Sequence, residues 1–171
     1  MEKIRRSPVF QSMMPERPIN ELLKEKTVLL VTHKLCVQGS PDIPVEEAME
    51  LMRANKSGYI VLVEGEKPVG IFTETDVVLK VLGQPVDRSK PVRNFMLSNP
   101  QVLTRAATVG EAIDLMAKNR IYHIPIVDEE GRLAGIISVR SVIKFLAEFY
   151  PTEVYNLPPD PDQIMRTAEG G

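Results

Sequence analysis

A chain of 171 residues with 43% hydrophobic content holds one ordinary domain or two small ones that share a core. Its formal net charge of −2 argues against a basic phosphate-tracking surface, so nucleic acid is not an expected partner. A single cysteine rules out an internal disulfide, and no apolar run reaches the ~20 residues of a membrane helix or resembles a signal peptide, which predicts a cytoplasmic protein with no membrane span.

Residues 1–26 read as an irregular arm, with Pro8, Pro15 and a Met13-Met14 pair, ending in a short helix opened by Pro18. Ile19, Leu22 and Leu23 give that helix an apolar side, expected to rest on the first of two repeats. Val28 to Val31 and Leu35 to Val37 are apolar runs broken by Thr32-His33-Lys34. His33 has no spaced partner and is expected at the surface or in a turn, and Cys36 is expected to act as a small buried hydrophobe. After a turn at Ser40-Pro41-Asp42, Val45, Ala48, Met49 and Met52 fall at i, i+3, i+4 and i+7, one face of a helix. Val109, Ala112, Ile113 and Met116 repeat that face 64 positions later. An apolar strand follows each helix, Tyr59 to Val63 and His123 to Val127. The turns after them, GEK and DEEGR, differ in length and move the offset to 65, a change that hairpin loops tolerate easily. Each unit therefore reads strand, helix, strand, turn, strand, helix. Repeat one spans 27–82 and repeat two 92–150, with a polar linker at 83–91. The Pro-rich tail, 151–171, is expected to be extended or to dock through Val154, Tyr155 and Leu157.

The two copies differ most at one corner. VGIFTETDVVLKVL in repeat one becomes AGIISVRSVIKFL in repeat two, so Gly70 matches Gly135, Thr73 matches Ser138 and Asp76 matches Ser141. T-x-x-D ahead of an apolar helix is a capping pattern, and by itself reads first as that. The same residues suit a nucleotide. A carboxylate can accept both hydroxyl protons of a ribose, and a hydroxyl with helix-start amides suits a phosphate. Gly70 would let backbone approach the ligand closely. Ser141 keeps a hydroxyl and drops the acid, so the fold does not demand a carboxylate at this corner.

From Thr27 to Tyr150 the chain resembles a tandem pair of CBS domains, the cystathionine-beta-synthase-type repeats that associate into a Bateman module. The resemblance rests on VGIFTETDVV, the V-x-E-A helix starts, RIYHIPIVDEEGRLAGIIS and VRNFMLSNPQVLT, in that duplicated order. It implies an α/β (α+β) fold of two β-α-β-β-α repeats related by a pseudo-twofold, with clefts between them that bind adenosine nucleotides in many relatives. It also implies a homodimer. Carried over residue by residue, the resemblance implies a nucleotide site that joins Thr73 and Asp76 to Thr104, Arg120, Tyr122, His123, Ile124 and Pro125. There the backbone of repeat two would hold the adenine, and Arg120 and His123 the phosphates. On their own, His123 reads more readily as an interface residue and Tyr122 as core packing. The opposite cleft, from Ser40, Gly58, Tyr59, Ile60, Ser138 and Ser141, lacks the ribose acid and is expected to be weak or empty, although Arg140 there could draw a phosphate.

The expected function is a regulatory sensor of AMP, ADP or ATP that relays ligand state to a regulated protein, with no catalytic cofactor. A ligand-free dimerisation scaffold, and a module for another adenosine compound such as S-adenosylmethionine, are the alternatives. With two histidines, one cysteine and no paired carboxylates at useful spacing, no nucleophile–base pair or metal set emerges, so enzymatic activity is not expected.

Overall fold

The computed structural model describes residues 18–149, and the expected arm at 1–17 and the tail from position 150 onward lie outside them. Helix α1, Ile19–Glu25, starts at Pro18, whose φ of −57° leads into helical backbone. A 3-10 turn at Val28–Leu30 follows. Unit one then runs β1 (Gln38–Gly39), α2 (Val45–Ala54), β2 (Tyr59–Glu64), β3 (Lys67–Thr73) and α3 (Glu74–Asp76), which continues as a π-helical stretch, Val77–Leu82. A second 3-10 turn, Val92–Asn94, leads to β4 (Leu97–Ser98) and then to unit two. Its elements are β5 (Leu103–Thr104), α4 (Val109–Asn119), β6 (His123–Val127), β7 (Leu133–Ser138) and α5 (Val139–Phe149).

This is the mixed α and β architecture implied by the repeat. One sheet has the order β1-β2-β3-β4 and the other β5-β6-β7. In both, the first pair is parallel and the second antiparallel. The register breaks at equivalent points, Leu62/Val63 and Ile126/Val127. The predicted helix faces are the buried ones: Val45, Ala48 and Met52 on α2, and Val109, Ala112 and Met116 on α4. Each Val or Met so buried contributes about 1.5–3 kcal/mol.

Neither unit closes its own core. Val92 and Phe95, which precede unit two, are buried in the core of unit one with Phe72, Ile60 and Leu62. Val28 and Val31, their equivalents 64 positions earlier, are buried in the core of unit two with Ile124, Ile126 and Ile137. The backbone repeats the exchange. Leu97 and Ser98 pair with Ile71 and Gly70 of β3, while His33 bridges to Ile136 of β7. The two helix starts are served alike: the Val45 amide donates to the Lys90 carbonyl, and the Val109 amide to that of Lys26. These carbonyls satisfy amides that a helix start leaves unpaired. Two straps thus cross between the units.

The exchange corrects one expectation. Helix α1 rests on unit two, not unit one: Leu22 is buried beside Val109, Ala112 and Met116. Spacing gave the apolar side of α1 but not its partner, which is set by the strap that follows. The 83–91 stretch also lies against unit one, where Val86 packs on the core and the Arg88 carbonyl accepts from the Glu46 amide.

Gly70 and Gly135 serve the straps as well. Gly70 is buried, and a side-chain carbon built on it would fall 2.1 Å from the Met96 sulfur. At Gly135, where φ is +154°, the same atom would fall 2.7 Å from the His33 carbonyl oxygen. The close approach expected at Gly70 is therefore that of a strap residue and not of a ligand.

Candidate functional site

A cleft of about 1400 Å³ lies between the units. Its walls come from the ends of α2 and α4, the corners where β3 meets α3 and β7 meets α5, and both straps. The two separate clefts implied by the resemblance thus form one continuous groove. Among the described residues it is lined by five Lys and Arg side chains, Lys56, Lys80, Arg120, Arg140 and Lys144, against two carboxylates, Glu74 and Asp76. The cleft is basic although the chain as a whole carries −2.

At the first corner, Thr73 and Asp76 form a reciprocal capping box. Asp76 Oδ2 accepts from the Thr73 amide at 2.9 Å and from its hydroxyl at 2.7 Å, while the Asp76 amide donates to Thr73 Oγ1 at 3.3 Å. Lys80 Nζ lies 2.7 Å from Asp76 Oδ1 and donates to the Phe95 carbonyl at 2.7 Å. Both carboxylate oxygens are engaged, and of roughly four acceptor positions on a carboxylate one is left, on Oδ1. The capping reading is therefore realised in full, and the carboxylate still lines an open cleft. The Glu74 amide is not available to a phosphate, since it donates to the Gly58 carbonyl at 3.0 Å.

The second corner copies the cap without the acid. The Ser138 amide donates to Ser141 Oγ at 3.1 Å, and the Ser141 amide to Ser138 Oγ at 3.2 Å. The Ser141 hydroxyl, buried at 7% exposure, donates to the Ser138 carbonyl at 2.8 Å. The Val139 amide bonds the Tyr122 carbonyl, as that of Glu74 bonds Gly58. Where unit one presents Glu74-Thr75-Asp76, unit two presents Val139-Arg140-Ser141.

His123 and Tyr59 meet in a tilted ring contact in the wall of the cleft. Burial lowers the His123 pKa, which favours the neutral ring and makes it a hydrogen-bonding partner rather than a cation for a phosphate. Burial also pushes the Tyr59 phenol up to about 12, with the Cys36 thiol adding to the rise. Cys36 is only half-buried, on the cleft wall, and desolvation raises its own pKa, which keeps the thiol protonated and unreactive. Tyr122 is 66% exposed and lines the cleft, so it is not core packing. Arg120 ends α4 in left-handed backbone at φ 54°, and its repeat partner Lys56 does the same at φ 50°.

Of the residues singled out in the sequence, the cleft gathers Thr73, Asp76, Arg120, Tyr122, His123, Gly58, Tyr59, Ser138, Arg140 and Ser141. The others lie off its lining. The Ile60 and Ile124 side chains are fully buried in the cores, Pro125 is buried, and Thr104 and Ser40 are exposed elsewhere. Other residues of the lining were not singled out in the sequence, among them Lys56, Lys144 and Leu35. Lys56 was legible as the repeat partner of Arg120, and Lys144 as the residue one helical turn beyond Arg140. Leu35, 97% exposed, had no sequence signal.

The sequence pattern of the family described as CBS domain matches residues 40–83 and 92–148. Over 110 residues the chain is 37% identical to the inosine-5'-monophosphate dehydrogenase of Aquifex aeolicus, a match covering 63% of this chain and 22% of that enzyme. The chain spans 66% or less of the length of the curated relatives it matches. Among solved structures, a conserved protein from Pyrococcus horikoshii is similar with 27% identity and a TM-score of 0.65, over 71% of this chain and 92% of that one. A CBS domain protein from Pyrobaculum aerophilum complexed with AMP shares the fold at 23% identity and a TM-score of 0.63, over 70% and 94% of the two chains.

Proposed function

The chain belongs to the CBS domain family, and from that premise we propose that it is a regulatory module that binds an anionic adenosine compound, AMP, ADP or ATP, in the cleft between its units. The observation that carries this reading is the composition of the cleft. It is a net-basic groove in an acidic chain, with a carboxylate at one corner, Asp76, that keeps one acceptor position for a ribose hydroxyl. The AMP held by the Pyrobaculum aerophilum protein lends support from a chain of the same fold. Ligand binding works by favouring one arrangement of the two units over another, and the straps that wall the cleft and complete both cores carry that difference to a regulated protein. Thermal melting with AMP, ADP, ATP and S-adenosylmethionine is the test, since a ligand at about 100 times its Kd adds about 2.7 kcal/mol of stability. The nucleotide reading fails if none of the four raises the melting temperature. S-adenosylmethionine acting alone would replace the nucleotide with another adenosine ligand.

A second reading, a dimerisation scaffold, draws on two observations. Asp76 is already engaged in its cap, and Val78, Leu79 and Leu82 are more than half exposed on the π-helical stretch. We propose that this apolar strip is the homodimer contact. Sedimentation equilibrium of Leu79→Glu decides: a monomer supports the contact, and an unchanged dimer removes it. The two readings coexist if the wild-type dimer also binds nucleotide.

A further inference from the structure

The two corners of the cleft are equivalent by repeat but unequal in charge: Lys56 and Lys80 balance the two carboxylates of unit one, while no carboxylate of unit two offsets its cations among the described lining residues. Unit one contributes two carboxylates, Glu74 and Asp76, while Arg140 and Lys144 stand on α5 of unit two, with Arg120 in the same wall. None of these three cations makes an ion pair among the described residues, whereas Lys80 at the first corner is bound to Asp76. A phosphate at the first corner would face Glu74 as well as Lys56, with Lys80 already paired to Asp76, and so would gain less there than at the second corner. A ribose at the second corner would find no carboxylate, and the Ser141 hydroxyl there is buried and committed to the Ser138 carbonyl. The groove, at about 1400 Å³, also exceeds the roughly 300–1,000 Å³ of an ordinary small-ligand pocket.

Resting on the nucleotide reading above, we infer that the cleft takes one nucleoside polyphosphate lengthwise, not two mononucleotides. Its ribose lies at Thr73 and Asp76, and its phosphate chain extends to Arg140 and Lys144 of the opposite unit. Added phosphates then reach more of the unpaired cations, so affinity rises with phosphate count and falls with ionic strength. A bridging ligand also ties the units directly to one another, which a ligand confined to one corner would not do.

Isothermal titration of the full chain with AMP, ADP, ATP and inorganic tripolyphosphate tests this, on the wild type and on the double variant Arg140→Gln/Lys144→Gln. Both side chains are exposed, so the fold is expected to survive, with unchanged melting in the absence of ligand as the check. The expected result is one ATP per chain, affinity rising by about tenfold or more from AMP to ATP, and ATP reduced to the AMP level in the variant with AMP itself unaffected. Two nucleotides per chain, equal affinity for AMP and ATP, or equal losses of both in the variant would overturn the bridging ligand while leaving the nucleotide reading intact. Tripolyphosphate binding that requires Arg140 and Lys144, with no adenosine compound bound, would overturn the nucleotide reading and keep only the anion corner. Silence from all four ligands removes both.

Discussion

Tyr59 and His123 stand 64 residues apart at the same place in the two units, and their rings touch, with centroids 4.7 Å apart and planes inclined at 46°. Equivalent residues meet only where the local twofold passes between them, so this contact marks the axis of the duplication. It lies in the wall of the cleft, where both units converge.

The first prediction concerns that contact and pH. Burial holds the His123 pKa below its ordinary value of 6.5. A base with a depressed folded-state pKa binds fewer protons folded than unfolded. Stability is therefore full above the unfolded value and declines as pH falls from about 6.5 toward the folded-state pKa. Melting temperatures between pH 7.5 and 5.5 should drop more steeply for the wild type than for His123→Phe, which keeps an aromatic ring against Tyr59. Parallel curves would mean that His123 does not contribute.

Asp76→Ser would install at the first corner the residue that unit two already uses. The hydroxyl can rebuild the cap as Ser141 does, and the lost ion pair with Lys80 is partly exposed, so the cost should be only about 0.5–1 kcal/mol. Asp76→Ala keeps its amide on the Thr73 hydroxyl but loses the carboxylate half of the box, and should cost about 1–2 kcal/mol. Both variants should lose the stabilisation given by an adenosine ligand. Retention of that stabilisation in Asp76→Ser, followed by differential scanning fluorimetry, would separate Asp76 from binding.

The straps predict an ordering of two glycine substitutions. Gly70→Ala meets the flexible end of Met96 and should cost roughly 1–3 kcal/mol. Gly135→Ala meets backbone at His33 and is strained by its φ of +154° as well, so it should cost more. Chemical denaturation that ranks them the other way would contradict the packing of the straps.

Leu22→Ala should destabilise by roughly 2–4 kcal/mol, as expected for a buried leucine. Hydrogen exchange should locate the effect: amides of α4 lose protection first, and those of α2 keep theirs. The opposite pattern would return α1 to unit one.

Much of this arrangement was legible in the chain, and the parts that were not share a cause. Val45, Ala48 and Met52, and their counterparts on α4, announce a buried face because a helix records its burial in a local period. Asp76 against Ser141 was legible because duplication supplies its own comparison. The partner of Val28, by contrast, is a core assembled about a hundred residues downstream, and an apolar run carries no address for such a contact. Tyr122 was placed in the cleft by the resemblance alone: taken by itself an aromatic next to a strand reads as core, and only the open cleft leaves it exposed. Thr104 and Ile124 were carried over from a resemblance that fixes sequence position and, at Ile124, invokes the backbone; the fold turns the Ile124 side chain into the core and leaves Thr104 exposed off the cleft lining.

The exchanged straps also bear on how such a molecule can be divided. Cutting between the units leaves neither piece whole, because each departs without the segment that seals it: Val92 and Phe95 go with one half, Val28 and Val31 with the other. A solitary unit would have to borrow its closing segment from a second copy of itself. The two-unit chain is thus the covalent form of a swapped pair, in which the 83–91 tether replaces the encounter of two molecules.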